Sequence, residues 1–229
     1  MLKKMQLERD ELHRRLGMGL PSGSLVLIEG DHSTGKSVFL QRLTFGFLSN
    51  GHSVTYISTQ LTTKDFIRQM YSLDFPILTH ITAKRFVFFS IVPLLRGTQQ
   101  KDKFIRKIMT SEILYKKEIV IFDGLSTLIK NNEGPENVSD MLNFFKRITG
   151  IDKIVIMSII PKELDEETVS QMRSAADINI YFSNKSTGEE IKHIMTIKKY
   201  NGAVNQYIAK TTFKVLPRQG IIIDISAVA

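Results

Sequence analysis

The chain has 229 residues, 42% hydrophobic and 24% charged, a composition ordinary for a soluble globular protein and enough for one well-buried domain spanning 1–229. No apolar run approaches the roughly 20 residues that cross a bilayer. The N-terminus lacks the apolar core of a secretory signal. Cysteine is absent, which excludes disulfides and thiolate metal sites and fits a reducing, cytoplasmic compartment, and the five scattered histidines argue against zinc. The net charge of +8 suits nucleic acid, an anionic membrane or an acidic protein, but equally a solvated lysine-rich surface.

Leu2, Met5, Leu12 and Leu16 stand at loosely helical spacing. They predict an N-terminal helical arm over residues 1–16, lying either on a neighbouring subunit or on its own domain. Leu25-Val26-Leu27-Ile28 reads as a buried strand, followed by a glycine-rich turn. A helix then carries Phe39, Leu40, Leu43 and Phe47 to a stop at Asn50-Gly51. Val54 to Ile57 is a second strand. Thr62 and Asp65 form a capping pattern for a helix presenting Phe66, Ile67, Met70 and Leu73.

Arg85 to Val92 reads as a strand, and Phe104, Ile105 and Ile108 mark an amphipathic helix beside the basic cluster Lys101, Lys103, Arg106 and Lys107. Ile119 to Phe122 is a buried strand ending in Asp123. The next helix carries Val138, Met141, Leu142, Phe145 and Ile148 to Gly150. Ile154 to Ile160 is again a strand. Beyond Asp177 helices cease, and strands are predicted at Ile178–Phe182, Ile191–Lys199, Gln206–Lys210 and Ile221–Ile225. The alternation specifies an α/β fold: a mostly parallel sheet flanked by helices, with antiparallel strands added at its C-terminal edge.

Gly30-Asp31-His32-Ser33-Thr34-Gly35-Lys36-Ser37 fits the phosphate-loop pattern G-x-x-x-x-G-K-[ST], and it follows a strand and opens a helix as the mechanism demands. The glycines let successive N–H groups face a phosphate, and the helix N-terminus adds a positive partial charge. Lys36 is the expected ligand of the β- and γ-phosphates, and the Ser37 hydroxyl of Mg²⁺. Asp123, at the end of a buried strand, is the expected second metal-side residue, acting through water. Four apolar residues and an acid also suit a plain strand-end turn before Gly124.

The stretch Glu8 to Ser37, the segment Tyr56 to Met70, the Asp123 strand and the tail from Ser174 to Ser226 together resemble the KaiC branch of the RecA-like ATPases. The resemblance covers nearly the whole chain. Within that branch, the loop Gly30–Ser37 and the segment Ile57–Phe66 are most similar to the FlaH type, the ATP-binding proteins of the archaeal flagellum (archaellum) motor. The resemblance implies ATP with Mg²⁺ and a ring-forming homo-oligomer, a hexamer among the options. It also implies a separate secretion-type motor ATPase, with membrane platform or scaffold ring proteins, as partners, and a cytoplasmic position at a membrane-embedded motor.

Two departures from the branch stand out. Catalytic relatives place a glutamate after the second strand, where this chain has Gln60 and Leu61. A glutamine orients water but does not accept its proton as a carboxylate does. Relatives also carry a Lys-x-Arg-Gly element that reaches a neighbouring subunit's γ-phosphate. Here Lys199 is kept and available as a finger in trans, while Asn201 stands in the arginine position. Both departures predict nucleotide binding with weak or no hydrolysis. A DNA-acting RecA-like recombinase or helicase is the alternative. The segments Lys130–Glu136 and Lys162–Glu167, read as loops after core strands, lean acidic, so no nucleic-acid partner is expected.

Overall fold

The computed structural model describes residues 1–8, 10–92, 104–130, 135–187 and 190–224. The elements run β1 (Leu2–Lys4), α1 (Leu12–Arg15), β2 (Gly19–Pro21), β3 (Leu25–Gly30), α2 (Lys36–Ser49), β4 (Val54–Ser58), α3 (Thr63–Ser72), α4 (Leu78–Thr82) and β5 (Phe86–Ser90). There follow α5 (Phe104–Thr110), β6 (Ile119–Asp123), α6 (Leu125–Lys130), α7 (Pro135–Thr149), β7 (Ile154–Ile159), α8 (Glu166–Ala175), β8 (Ile178–Thr187), β9 (Glu190–Tyr200), β10 (Lys210–Leu216) and β11 (Gly220–Ile223). Among the described residues no helix is long and apolar enough to cross a membrane.

Nine of the described strands form one sheet in the order β11-β10-β9-β8-β3-β7-β6-β4-β5. Pairing is parallel from β5 through to β8. It is antiparallel from β8 to β11. The expected α/β architecture with antiparallel C-terminal strands is therefore present.

The central strands are buried on both faces, so they read as unbroken apolar runs whose side chains still alternate. Val26, Ile28, Ile119, Ile121, Ile154 and Ile156 enter a core beneath α2 and α3. Leu25, Leu27, Val120, Phe122, Val155 and Met157 enter the opposite core with α5 to α8. Strand β7 lies between β3 and β6, and Ser158 consequently sits between the phosphate-loop strand and the strand that ends in Asp123.

Several expectations are corrected. The N-terminal segment is not a helical arm: β1 pairs with β2, and only Leu12–Arg15 is helical. Met5, Leu7, Leu12 and Leu16 are buried in the chain's own core. The reason is a clamp on α2. Arg42, fully buried, donates to both oxygens of Asp10 (2.9 and 2.5 Å) and to the carbonyl of Met5 (2.6 Å).

The strand expected at Gln206–Lys210 begins only where that range ends, because the alternating burial belongs to Thr211 and Phe213. Lys162–Glu167 is not a simple loop. Asp165 accepts the N–H of Thr168 at 2.7 Å and caps α8, a helix the sparse apolar spacing of Val169 and Met172 conceals. Likewise Lys130 ends α6 and Pro135–Glu136 begins α7. Asn131–Gly134, Lys101, Lys103 and Ile225 lie outside the described residues.

Candidate functional site

The loop Gly30–Ser37 spans the gap between β3 and α2 at the carboxyl edge of the parallel strands, where ligands of open α/β sheets bind. Both glycines are dictated by space as well as torsion. Gly30 has φ 154°, and a Cβ there would stand 2.5 Å from the carbonyl oxygen of Phe182. Gly35 has φ 91° and would carry a Cβ into the Phe213 ring at 3.1 Å. Ser33 holds φ 58° without that freedom, so the loop keeps some backbone strain at its tip.

Lys36 folds back over the loop, and its Nζ donates to the carbonyls of Gly30 and Asp31, both at 2.6 Å. Burial pulls its pKa below the usual lysine value, against the opposing pull of Asp123, Asp31 and Glu163. Thr34 Oγ1 donates to the Asp31 carbonyl at 2.8 Å and stiffens the turn.

Ser37 Oγ donates to Asp123 Oδ1 at 3.1 Å, so the two residues expected on the metal side do meet. Asp123 is almost wholly buried and takes two further hydroxyls, Ser158 on Oδ1 at 3.1 Å and Tyr56 on Oδ2 at 2.9 Å. The Ser158 hydroxyl is aimed there because its oxygen accepts the Gly124 N–H at 2.8 Å. Burial pushes the Asp123 pKa above the usual carboxylate value despite the three donors and Lys36. The same burial, together with Asp123, raises the Tyr56 phenol far out of titration range, so it stays a donor.

Oxygen donors of this kind fit Mg²⁺. Among the described residues no group of three His, Asp or Glu side chains converges, so any Mg²⁺ here would draw its remaining ligands from phosphate and water, as that ion commonly does.

A cavity of about 310 Å³ opens over the loop. Gln60 lines it beside Asp123, Gly124 and Ser158, so this expected site residue does border the cavity. Gly124 (φ 86°) permits this packing, since a Cβ there would stand 2.3 Å from Thr59 Oγ1. The other side is walled by His193 and Val215. His193 leans on the Phe213 ring with centroids 5.2 Å apart. Its Nδ1 lies 2.8 Å from Asn184 Oδ1, while the Asn184 amide donates to the Ser33 carbonyl at 3.1 Å.

Lys199 is not brought to this chain's own cavity; its Nζ donates to the Ser174 carbonyl at 3.2 Å. Asn201 is exposed beyond the end of β9. Sequence reasoning missed Tyr56, Ser158, His193 and Asn184. None belongs to a local motif, and each reaches the site through strand order rather than spacing.

A central β-strand, a glycine-hinged loop, a helix opening at Lys36 and an acid two strands away define a RecA-type P-loop domain. A profile of the KaiC ATPase family matches residues 10–227. The archaeal flagellar ATP-binding protein FlaH of Methanocaldococcus jannaschii is 42% identical over 228 residues, covering 100% of this chain and 98% of the relative. FlaH of Methanococcus voltae is 42% identical over 226 residues, covering 99% and 98%. FlaH of Sulfolobus acidocaldarius is 27% identical over 204 residues, covering 86% of each chain.

The crystal structure of flagellar accessory protein FlaH from M. jannaschii matches with a TM-score of 0.94 over 98% of this chain and 100% of that one. A KaiC-like protein from Pyrococcus horikoshii, 16% identical, shares the fold with a TM-score of 0.76 over 98% and 100%. The chain belongs to the KaiC family of ATPases and, within it, to the FlaH group.

Proposed function

We propose that this chain is an ATP-binding regulatory or assembly subunit of the archaellum motor, which binds Mg-ATP on Gly30–Ser37 and hydrolyses it slowly or not at all. The observation that carries the reading is the convergence of Lys36, Ser37 and Asp123 on one cavity that an amide, Gln60, also lines. When bound, Mg²⁺ would neutralise charge on the terminal phosphates, held by Ser37 and, through water, by Asp123. Ser158 and Tyr56 fix the Asp123 carboxylate for that task. Lys36 supplies the point charge for the β- and γ-phosphates. His193 and Val215 complete the lining of the cavity.

Gln60 can hold a water but cannot take its proton, so the attacking water lacks a carboxylate base at that position. Lys199 is the candidate for a finger reaching a neighbouring subunit's phosphate in a ring, with Asn201 unable to help. Occupancy of the site, rather than turnover, then governs assembly with further copies, with a secretion-type motor ATPase and with platform or scaffold ring proteins at the cytoplasmic face of the membrane. The FlaH names of the relatives support that setting.

Calorimetric titration with Mg-ATP tests the binding claim, and Lys36→Ala is expected to abolish both binding and nucleotide-dependent assembly. Steady-state turnover at or above about one per second would overturn the slow-hydrolysis claim.

A further inference from the structure

The phosphate loop and its stem are tied at three points to one stretch of chain, the turn and helix from Pro161 to Ala175. Glu29, buried at the end of β3, accepts from Arg173 Nε (3.0 Å to each carboxylate oxygen) and from Arg173 Nη2 (2.5 Å). Asp31 Oδ2 accepts from Lys162 Nζ at 2.6 Å. His32 Nε2 stands 3.9 Å from Glu163 Oε1. The contacts are unequal in freedom. Glu29 is 2% exposed and locked, and Glu163 is anchored by the Ser126 hydroxyl at 2.8 Å. Lys162 and Asp31 are 79% and 46% exposed, and the lysine rides on a flexible four-carbon stem.

Asp31 sets a carboxylate inside a loop whose N–H groups and helix end favour anions, so a triphosphate arrives beside a like charge. Lys162 presently answers that charge. The turn that carries it follows Ile159 and Ile160, which wall the cavity together with Asp123, Ser158 and Gln60. That is the end where Lys36, Ser37 and Asp123 place the terminal phosphate, away from His193 and Val215. A terminal phosphate offers Lys162 more charge than a single carboxylate does.

We propose that Lys162 is a second phosphate-binding lysine, which leaves Asp31 for the terminal phosphate of a bound nucleoside triphosphate. The proposal rests on the Mg-ATP reading of this site and adds to it a means of telling triphosphate from diphosphate. With a diphosphate the Asp31–Lys162 pair stays closed. With a triphosphate it opens, and the Pro161–Glu163 turn is drawn toward the nucleotide while Arg173 holds the far end of α8 on the stem of the loop. The exchange converts the presence of one phosphate into a displacement of one surface turn.

The test is calorimetric affinity of the full chain for Mg-ATP and Mg-ADP in the wild type, K162M, K162R, D31N and the D31N/K162M double variant. Lys162 is exposed, so its variants are expected to fold, which circular dichroism checks. The ATP-over-ADP preference should fall about tenfold in K162M, the size of one charge-assisted hydrogen bond. It should stay low in the double variant, be largely kept in K162R and rise in D31N. An unchanged preference in K162M overturns the proposal. So does a preference lost in K162M but regained in the double variant, which would make Lys162 a mask for Asp31 and no ligand at all. A wild-type chain that binds neither nucleotide, by contrast, overturns the Mg-ATP reading itself.

Discussion

Asp123 shows how a single side chain acquires a role from its surroundings. Burial alone would favour its neutral form, and three hydroxyls with one ammonium oppose that cost. The nearby Gln60 is the contrary case, a cavity-lining amide that accepts no proton from water. Gln60→Glu restores a carboxylate at the mouth of the cavity. It is expected to raise steady-state ATP hydrolysis by at least tenfold while leaving affinity for Mg-ATP within a few-fold. Unchanged hydrolysis would place the limit elsewhere, with Asn201 the next position to examine.

The loop Gly30–Ser37 was legible in the sequence because its backbone demands glycine where side chains would strike Phe182 and Phe213. Asp123 was legible because a buried strand ending in an acid is a pattern in one dimension. Tyr56 and Ser158 were not. Their contacts with Asp123 exist only because β6 lies between β4 and β7, and strand order is not written in local periodicity.

At the scale of elements, α2 does two tasks: its first turn forms the phosphate loop's exit, and its last turns receive the N-terminal segment. Gly46 is where they touch. A Cβ there would stand 2.6 Å from both the Met5 carbonyl and an Arg42 nitrogen. In an exposed helix Gly→Ala stabilises by about 1 kcal/mol. Gly46→Ala is expected to reverse that sign and lower the urea midpoint.

A second tie joins β1 to the start of β6, where Lys3 Nζ reaches Glu118 Oε1 at 2.5 Å. Burial opposes the charge on Glu118, but Lys3, the N–H of Ser53 and His52 hold its pKa down at about 2. The folded value lies below the unfolded one, so this contribution is complete above about pH 4.5 and is lost as pH falls toward 2. Denaturant titrations from pH 6 to 2.5 should show the loss in the wild type and a smaller one in Glu118→Gln. Equal acid sensitivity would assign it to other carboxylates.

The elements that escaped sequence reading share a cause. Four apolar positions at loosely helical spacing predict a helix over the first sixteen residues, yet the segment is held by Arg42, a charged residue in the middle of another helix. Helix α8 hid behind Asp165-Glu166-Glu167, an acidic run that read as loop. Acids at a helix start are favoured by its dipole, so this run has a structural task.

For the whole molecule, that reassignment weakens one argument against nucleic acid, since the acids of α8 are explained without reference to any partner. The absence of a nucleic-acid partner is a prediction open to measurement. Filter binding to single-stranded DNA at low salt should show no retention. Salt-sensitive retention would favour a DNA-acting ring. The parallel core of the α/β architecture was readable, because each parallel strand is a short apolar run. The antiparallel extension was read less accurately at β10, whose half-buried residues alternate weakly.

The N-terminal segment finds its partners far along the chain. Asp10 meets Arg42, Lys3 meets Glu118, and the carbonyls of Leu16 and Gly19 accept the Tyr200 hydroxyl at 3.1 and 2.8 Å. Fixing this segment therefore closes long loops of chain, with the entropy cost that long-range contacts carry. Arg42 supplies the counter-charge of Asp10, and Tyr200 with Asn205 tethers the turn before β2. The segment thus works as a clasp, joining α2, the start of β6 and the end of β9 into one body.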